Sequence, residues 1–216
     1  MTLTVPPPRE ALADERRGDC AWWYEHTLDW PTEGAAPVQL PTGLRFDVLE
    51  LPAAAGYAAL RRVGRTGPVT LTGQTMGLLV APGSAEELPG LLDWLEWGGV
   101  ALALTAVGTG GRIVAPAPPG WAPGWAPGSP GAAVWLRPPE LRHEGKPELP
   151  ALAGLGSRGG DAPDLVRLVD AVATECHRAR LIRARTGRTT TVQPTTELSA
   201  RGLPTGQSAV QPLAFS

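Results

Sequence analysis

Asp47 and Glu50 are the residues of this chain whose type and spacing first suggest chemistry. They lie in LRFDVLELP, Leu44 to Pro52, after the turn Pro41-Thr42-Gly43 and before an Ala-rich run. The apolar residues around them predict a central strand over 44–51. Side chains alternate along a strand, so positions i and i+3 point to opposite faces. Carboxylates that share magnesium ions need to sit at i and i+2, on one face. The spacing therefore predicts two acids separated by a sheet, with no resident metal.

Other reactive side chains are scattered. His26, His143 and His177 are far apart, and no G-x-S-x-G, H-E-x-x-H or local Cys-His signature occurs. Cys20 and Cys176 are too few for a disulfide framework or a zinc site and read as small buried apolar residues. Gly108-Thr109-Gly110-Gly111 lacks the full G-x-G-x-x-G pattern and precedes no helix, so it reads as a turn rather than a phosphate loop. Residues suited to binding are easier to find. Arg178, Arg180, Arg183, Arg185 and Arg188 crowd one stretch, with Glu175 as the nearby acid. Trp121 and Trp125 open tandem Trp-Ala-Pro-Gly tetrads. Arginine contacts phosphates and tryptophan stacks bases. Each group also has a structural reading: a solvated helix end for the arginines, lids on the core for the tryptophans.

The elements that must position these residues follow from pattern. Residues 1–18 read as a flexible leader, with Pro6-Pro7-Pro8 and a short helix over 10–17. Asp19 is placed to cap a helix over 20–30, ended by Pro31, whose Trp22, Trp23, Tyr24 and Trp30 read as core anchors. Residues 32–41 read as a loop. After the central strand, Ala53 to Val63 reads as a helix with Arg61, Arg62 and Arg65 at its end. Strands over 68–71 and 75–80 are joined by a turn at Gly73. Ser84 and Glu87 form a capping box for a helix through Leu88, Leu91, Leu92 and Leu95. Strands follow over 100–107, 112–115 and 134–136. A helix capped by Asp161 buries Leu165, Leu168, Val169, Val172 and Cys176. Residues 187–216 read as a disordered tail.

Composition sets the remaining bounds. The chain has 216 residues and a formal net charge of -2. The length suffices for one domain with a real core. The charge favours no polyanion globally, so binding nucleic acid requires a local basic patch. Lys146 is the single lysine, and with abundant Ala, Gly and Pro this fits a GC-rich, bacterial genome. No apolar stretch approaches the ~18 residues of a membrane span, and the N-terminus has no signal-like apolar core. A soluble, cytoplasmic protein without a membrane partner is expected.

The order of elements, with PTGLRFDVLELPAAAGYAAL, then GQTMGLLVAPG, then GTGGRIVAPAPPG and VWLRPP, resembles the N-terminal domain of bifunctional DNA primase/polymerases, in the archaeo-eukaryotic primase superfamily. The resemblance spans residues 20–140. It implies an α/β (α+β) fold over 19–186, a single domain whose mixed, mostly antiparallel RRM-like sheet has helices packed on it. It implies template-directed nucleotidyl transfer, with an Asp-x-Asp pair holding two divalent cations, a histidine on a later strand and a further acid. The degenerate motif positions are Asp47, Glu50, Pro52, Thr75 and Met76. Glu50 and Pro52 fall at the aspartate pair, and Thr75-Met76-Gly77 occupies the histidine motif. Between Glu96 and Glu140 there is no Asp or Glu, which leaves Arg112 as the remnant of the third motif. Proline offers no ligand atom, and one glutamate does not hold two ions about 4 Å apart. The expectation is a degenerate member with no catalytic residue and no cofactor, magnesium or manganese entering only with residual activity. It would bind DNA or a nucleotide through Arg112, Trp121, Trp125, Arg178, Arg180, Arg183 and Arg185. The alternatives are a non-catalytic scaffold for a protein partner and an active primase/polymerase.

Overall fold

The computed structural model describes residues 20–34, 37–121, 132–140, 147–152 and 164–189. Its centre is β2, Asp47–Pro52. After it come α2 (Ala53–Leu60), the hairpin β3 (Val69–Thr72) and β4 (Thr75–Val80), α3 (Ser84–Trp94) and β5 (Thr105–Val107). This β-α-β-β-α-β unit forms an antiparallel sheet in the order β5-β2-β4-β3, extended at one edge by β7 (Ala133–Arg137). It is the split arrangement of ferredoxin-like and RRM sheets. A helix over residues 20–27 (α1), a ribbon of β1 (Gln39–Pro41) with β6 (Arg112–Val114), and the long α4 (Leu165–Thr189) complete the architecture. The fold is α+β, the class that the resemblance implies.

The alternation of β2 builds two cores. Leu49 and Leu51 join Met76, Leu78 and Val80 on the face covered by α2, α3 and α4, where Leu88, Leu168, Val169 and Val172 pack against them. Val48 and Leu79 point the other way, into a second cluster with Tyr24, Trp30, Leu40 and Phe46. Trp30 lies between Tyr24 and Phe46, with ring centroids 6.2 and 4.6 Å away. Tyr24 and Trp30 are thus core anchors with Trp23 packed beside them, and they cover part of the sheet face opposite the helices; Trp22, expected as a fourth anchor, instead turns outward and is exposed. Burying such rings is worth roughly 2–3 kcal/mol each. At Gly56 a Cβ would collide with the sulfur of Met76, so glycine lets α2 lie close on β4.

Several boundaries differ from expectation. The segment read as a loop over 32–41 ends in β1, which exists because Leu40 pairs with Ile113 across more than seventy residues. The strand expected over 100–107 is confined to β5, and Leu102 and Leu104 instead pack on the helix-side core. α2 stops at Leu60, so Arg61, Arg62 and Arg65 follow the helix rather than its last turn; Arg62 pairs with Glu175 of α4 at 3.1 Å. Ser84 is the first residue of α3 and not its cap; Gly83, at φ +90°, precedes it. At α4 it is Asp164 that caps, its Oδ1 accepting from the Val166 N–H at 2.8 Å. Asp161 lies outside the described residues, as do the leader over 1–18 and the tail beyond Thr189. α4 itself continues past 186, the boundary expected from sequence.

Candidate functional site

β2 carries both acids, and the sheet separates them. Asp47 is fully buried. Its Oδ2 accepts a hydrogen bond of 2.9 Å from the Ala85 N–H, in the first turn of α3. A carboxylate at a helix N-terminus satisfies an orphan donor and opposes the positive end of the helix dipole. Asp47 therefore fills, from a strand 38 residues away, the role that the sequence assigns to Ser84. Its Oδ1 is buried with no hydrogen-bond partner among the described residues.

Glu50 is half-buried, and its backbone pairs with Gly77 on one side and Thr105 on the other. By strand alternation it shares the Val48 face, opposite to Leu49 and Leu51. Its cross-strand neighbours there bring no second acid. Pro52 ends β2 at φ -58° and leads directly into α2. Thr75, exposed, pairs with Pro52; Met76 is fully buried beneath α2. Neither side chain can replace the imidazole expected on that strand. Among the described residues no group of three or more His, Cys, Asp or Glu side chains gathers to hold a metal ion.

The Gly-rich turn 108–111 is also structural. Thr42 donates its hydroxyl to the Gly108 carbonyl, and the Thr42 N–H donates to Gly111 at 3.0 Å. Glu86 bonds its own backbone N–H and the Thr109 hydroxyl and N–H, which hold its carboxyl below the usual range. With Asp47 and Glu86 both at the start of α3, the positive helix end already has its anions. A phosphate would meet two carboxylates there.

The binding candidates separate into distinct places. Arg112 lies on the β1–β6 ribbon, 3.7 Å from Glu33. Trp121 is half-buried against the aromatic core, so it acts as a lid; Trp125 lies outside the described residues. The arginines of α4 share one stretch of helix but point to different sides of it. Arg178 pairs with Glu175 at 3.2 Å, and Arg180 donates to the Ala101 carbonyl at 2.7 Å. Arg183 and Arg185 are exposed one turn further along.

Sequence reasoning missed two features. Trp22 is 58% exposed, with its ring stacked on His26 at 4.8 Å, a helical i,i+4 pair that spacing makes visible. The Tyr24 hydroxyl donates to the Pro116 carbonyl at 2.7 Å and accepts from Trp135 Nε1 at 3.1 Å. Nothing local signals that junction, because its partners lie 92 and 111 residues away. A cavity of about 200 Å³ lies between the 64–68 loop and the end of β7, where Arg65 and Arg137 face Glu140 and Glu148. Its opposing charges select neither an anion nor a cation. Comparison with models of protein families, with curated proteins and with solved structures finds no match. No described helix is long and apolar enough to cross a membrane.

Proposed function

We propose that this chain is a degenerate primase/polymerase-like module that binds nucleic acid or a nucleotide in the cytoplasm without transferring nucleotidyl groups. The observation that carries the loss of chemistry is the place of Asp47. A carboxylate sealed under α3 and bonded to its first turn is not a ligand for ions on the opposite sheet face. Support for binding comes from α4, where four arginines occupy eight positions beside one acid. Phosphate contact by arginine supplies most non-specific nucleic-acid affinity and makes it salt-dependent.

Two measurements test this reading. Primer extension with magnesium or manganese is expected to stay at background, and extension abolished by Glu50→Gln would overturn the non-catalytic assignment. Titration of labelled nucleic acid is expected to show affinity that falls steeply with salt. Absence of binding at micromolar protein would leave the second reading, a scaffold for a protein partner. Leu181 and Ile182 favour that alternative, since they are 46% and 59% exposed on the same helix end.

A further inference from the structure

Glu175 is a buried carboxylate that serves two arginines. It is 6% exposed, and its Oε1 lies 3.1 Å from Arg62 Nη1 and 3.2 Å from Arg178 Nη1. A buried charge needs a partner of opposite sign, and this one has two. One negative charge is thus shared by two guanidiniums, and a net positive charge remains. Arg62 follows α2 and Glu175 belongs to α4, so the pair also fixes where the Arg62 fork points. A guanidinium has five N–H donors, and the contact with Glu175 engages one nitrogen.

A cleft of about 220 Å³ opens beside that pair, between the chain just past α2 and the first two turns of α4. Arg62, Val63, Arg167, Asp170 and Ala171 line it. Arg167 is exposed, and among the described residues its guanidinium has no hydrogen-bond or ion-pair partner. Asp170 is the acid of the lining, and its Oδ1 already accepts from Trp97 Nε1 at 3.3 Å. Val63 and Ala171 contribute aliphatic surface. Counting Glu175 and Arg178 behind the wall, three arginines stand against two acids. The cavity at the 64–68 loop differs, since there two arginines face two glutamates.

We propose that the α2–α4 cleft binds the phosphate of a small phosphomonoester, clamped between Arg62 and Arg167. The two guanidiniums come from different elements and reach one ligand from different directions. A tetrahedral phosphate presents oxygens to both, whereas a carboxylate presents two oxygens in one plane. A phosphomonoester carries a charge of about -1.5 to -2 at neutral pH, and a backbone diester carries one. The more highly charged group gains more from the cationic excess. The aliphatic surface of Val63 and Ala171 suits a short carbon chain on the phosphate. This site lies on the helix side of the sheet, on the face opposite Glu50, and stands apart from the nucleic-acid reading above.

The test is a phosphorus NMR titration of the full chain at low salt with ethyl phosphate, inorganic phosphate and dimethyl phosphate. The last stands in for a nucleic-acid backbone. Ethyl phosphate and inorganic phosphate are expected to bind, and dimethyl phosphate to bind at least about tenfold more weakly. Arg167→Gln is expected to weaken ethyl phosphate at least about tenfold, the loss of one charge-assisted contact. Its side chain is exposed and unpaired, so thermal unfolding of that variant should match the parent. Asp170→Asn keeps an acceptor for Trp97 and removes a negative charge, so it is expected to tighten ethyl phosphate binding. No binding of ethyl phosphate or inorganic phosphate at millimolar concentration overturns the proposal. Binding that survives Arg167→Gln unchanged, or weakens in Asp170→Asn, overturns the assignment to this cleft. Dimethyl phosphate bound as tightly as ethyl phosphate overturns the monoester class and makes the cleft a contact for diesters. None of these results bears on titration with labelled nucleic acid, and failure of that titration leaves this site standing.

Discussion

Asp47 and Glu50 differ by three positions and by the whole thickness of a sheet. That separation was legible from spacing alone, because strand alternation permits no other outcome. What Asp47 does was not legible, since its partner, Ala85, opens a helix two strands later. The two acids should therefore respond oppositely to substitution. Asp47→Ala removes the acceptor for a buried helix-terminal N–H and should cost about 1–3 kcal/mol in urea unfolding. Asp47→Asn keeps an acceptor and should cost less. Glu50→Gln, a near-isosteric change at a half-buried position, should stay within about 0.5 kcal/mol of the parent. A large loss at Glu50 and none at Asp47 would mean that the roles are reversed.

At the scale of elements, the sequence shows those whose stability is local or strongly periodic. The β3–β4 hairpin with its turn at Gly73, α3 with its Leu spacing, and the apolar stripe of α4 all appear where the pattern puts them. The short elements fail for the converse reason. β1 and β6 are three residues each and exist only through each other. Residues 100–104 are apolar enough for a strand, yet they serve as a coil that packs Leu102 and Leu104 under α4. Tyr24 shows how such distant pieces are joined. Its hydroxyl links α1 to Pro116 and to Trp135 of β7. Tyr24→Phe keeps the ring and removes the hydroxyl, leaving a carbonyl and an indole N–H without that partner. A loss of about 1–3 kcal/mol is expected, with the urea midpoint lowered and the m-value unchanged. If the midpoint does not move, α1 is held by ring packing alone.

The whole molecule has an unusual titration profile, and it makes a sharp prediction at high pH. Arginine does not titrate below about pH 12, and the chain holds one lysine, two tyrosines and two cysteines. Few groups therefore ionise between about pH 9 and 11, and three of them are buried. Burial pushes Cys20 and Cys176 up from 9.0 to about 11; at Cys176 the nearby Arg183 opposes this in part. Burial also raises Tyr24 well above 10.0, reinforced by neighbouring Cys20 and opposed by the Trp135 hydrogen bond. In the unfolded chain these groups lose protons near their ordinary values, while the folded protein retains them. Over that window the unfolded state binds fewer protons, so stability falls as pH rises. The urea midpoint should be level from neutral pH to about 9 and then decline towards about 11, each proton contributing up to about 1.4 kcal/mol per pH unit. Cys20→Ala with Cys176→Ala should flatten the first part of that decline and leave the later part, which belongs to Tyr24. A decline of the same steepness in the double variant would show that the thiols are not the groups being ionised. Because the arginine end of α4 keeps its charge throughout this range, nucleic-acid binding by still-folded protein should not follow the same curve.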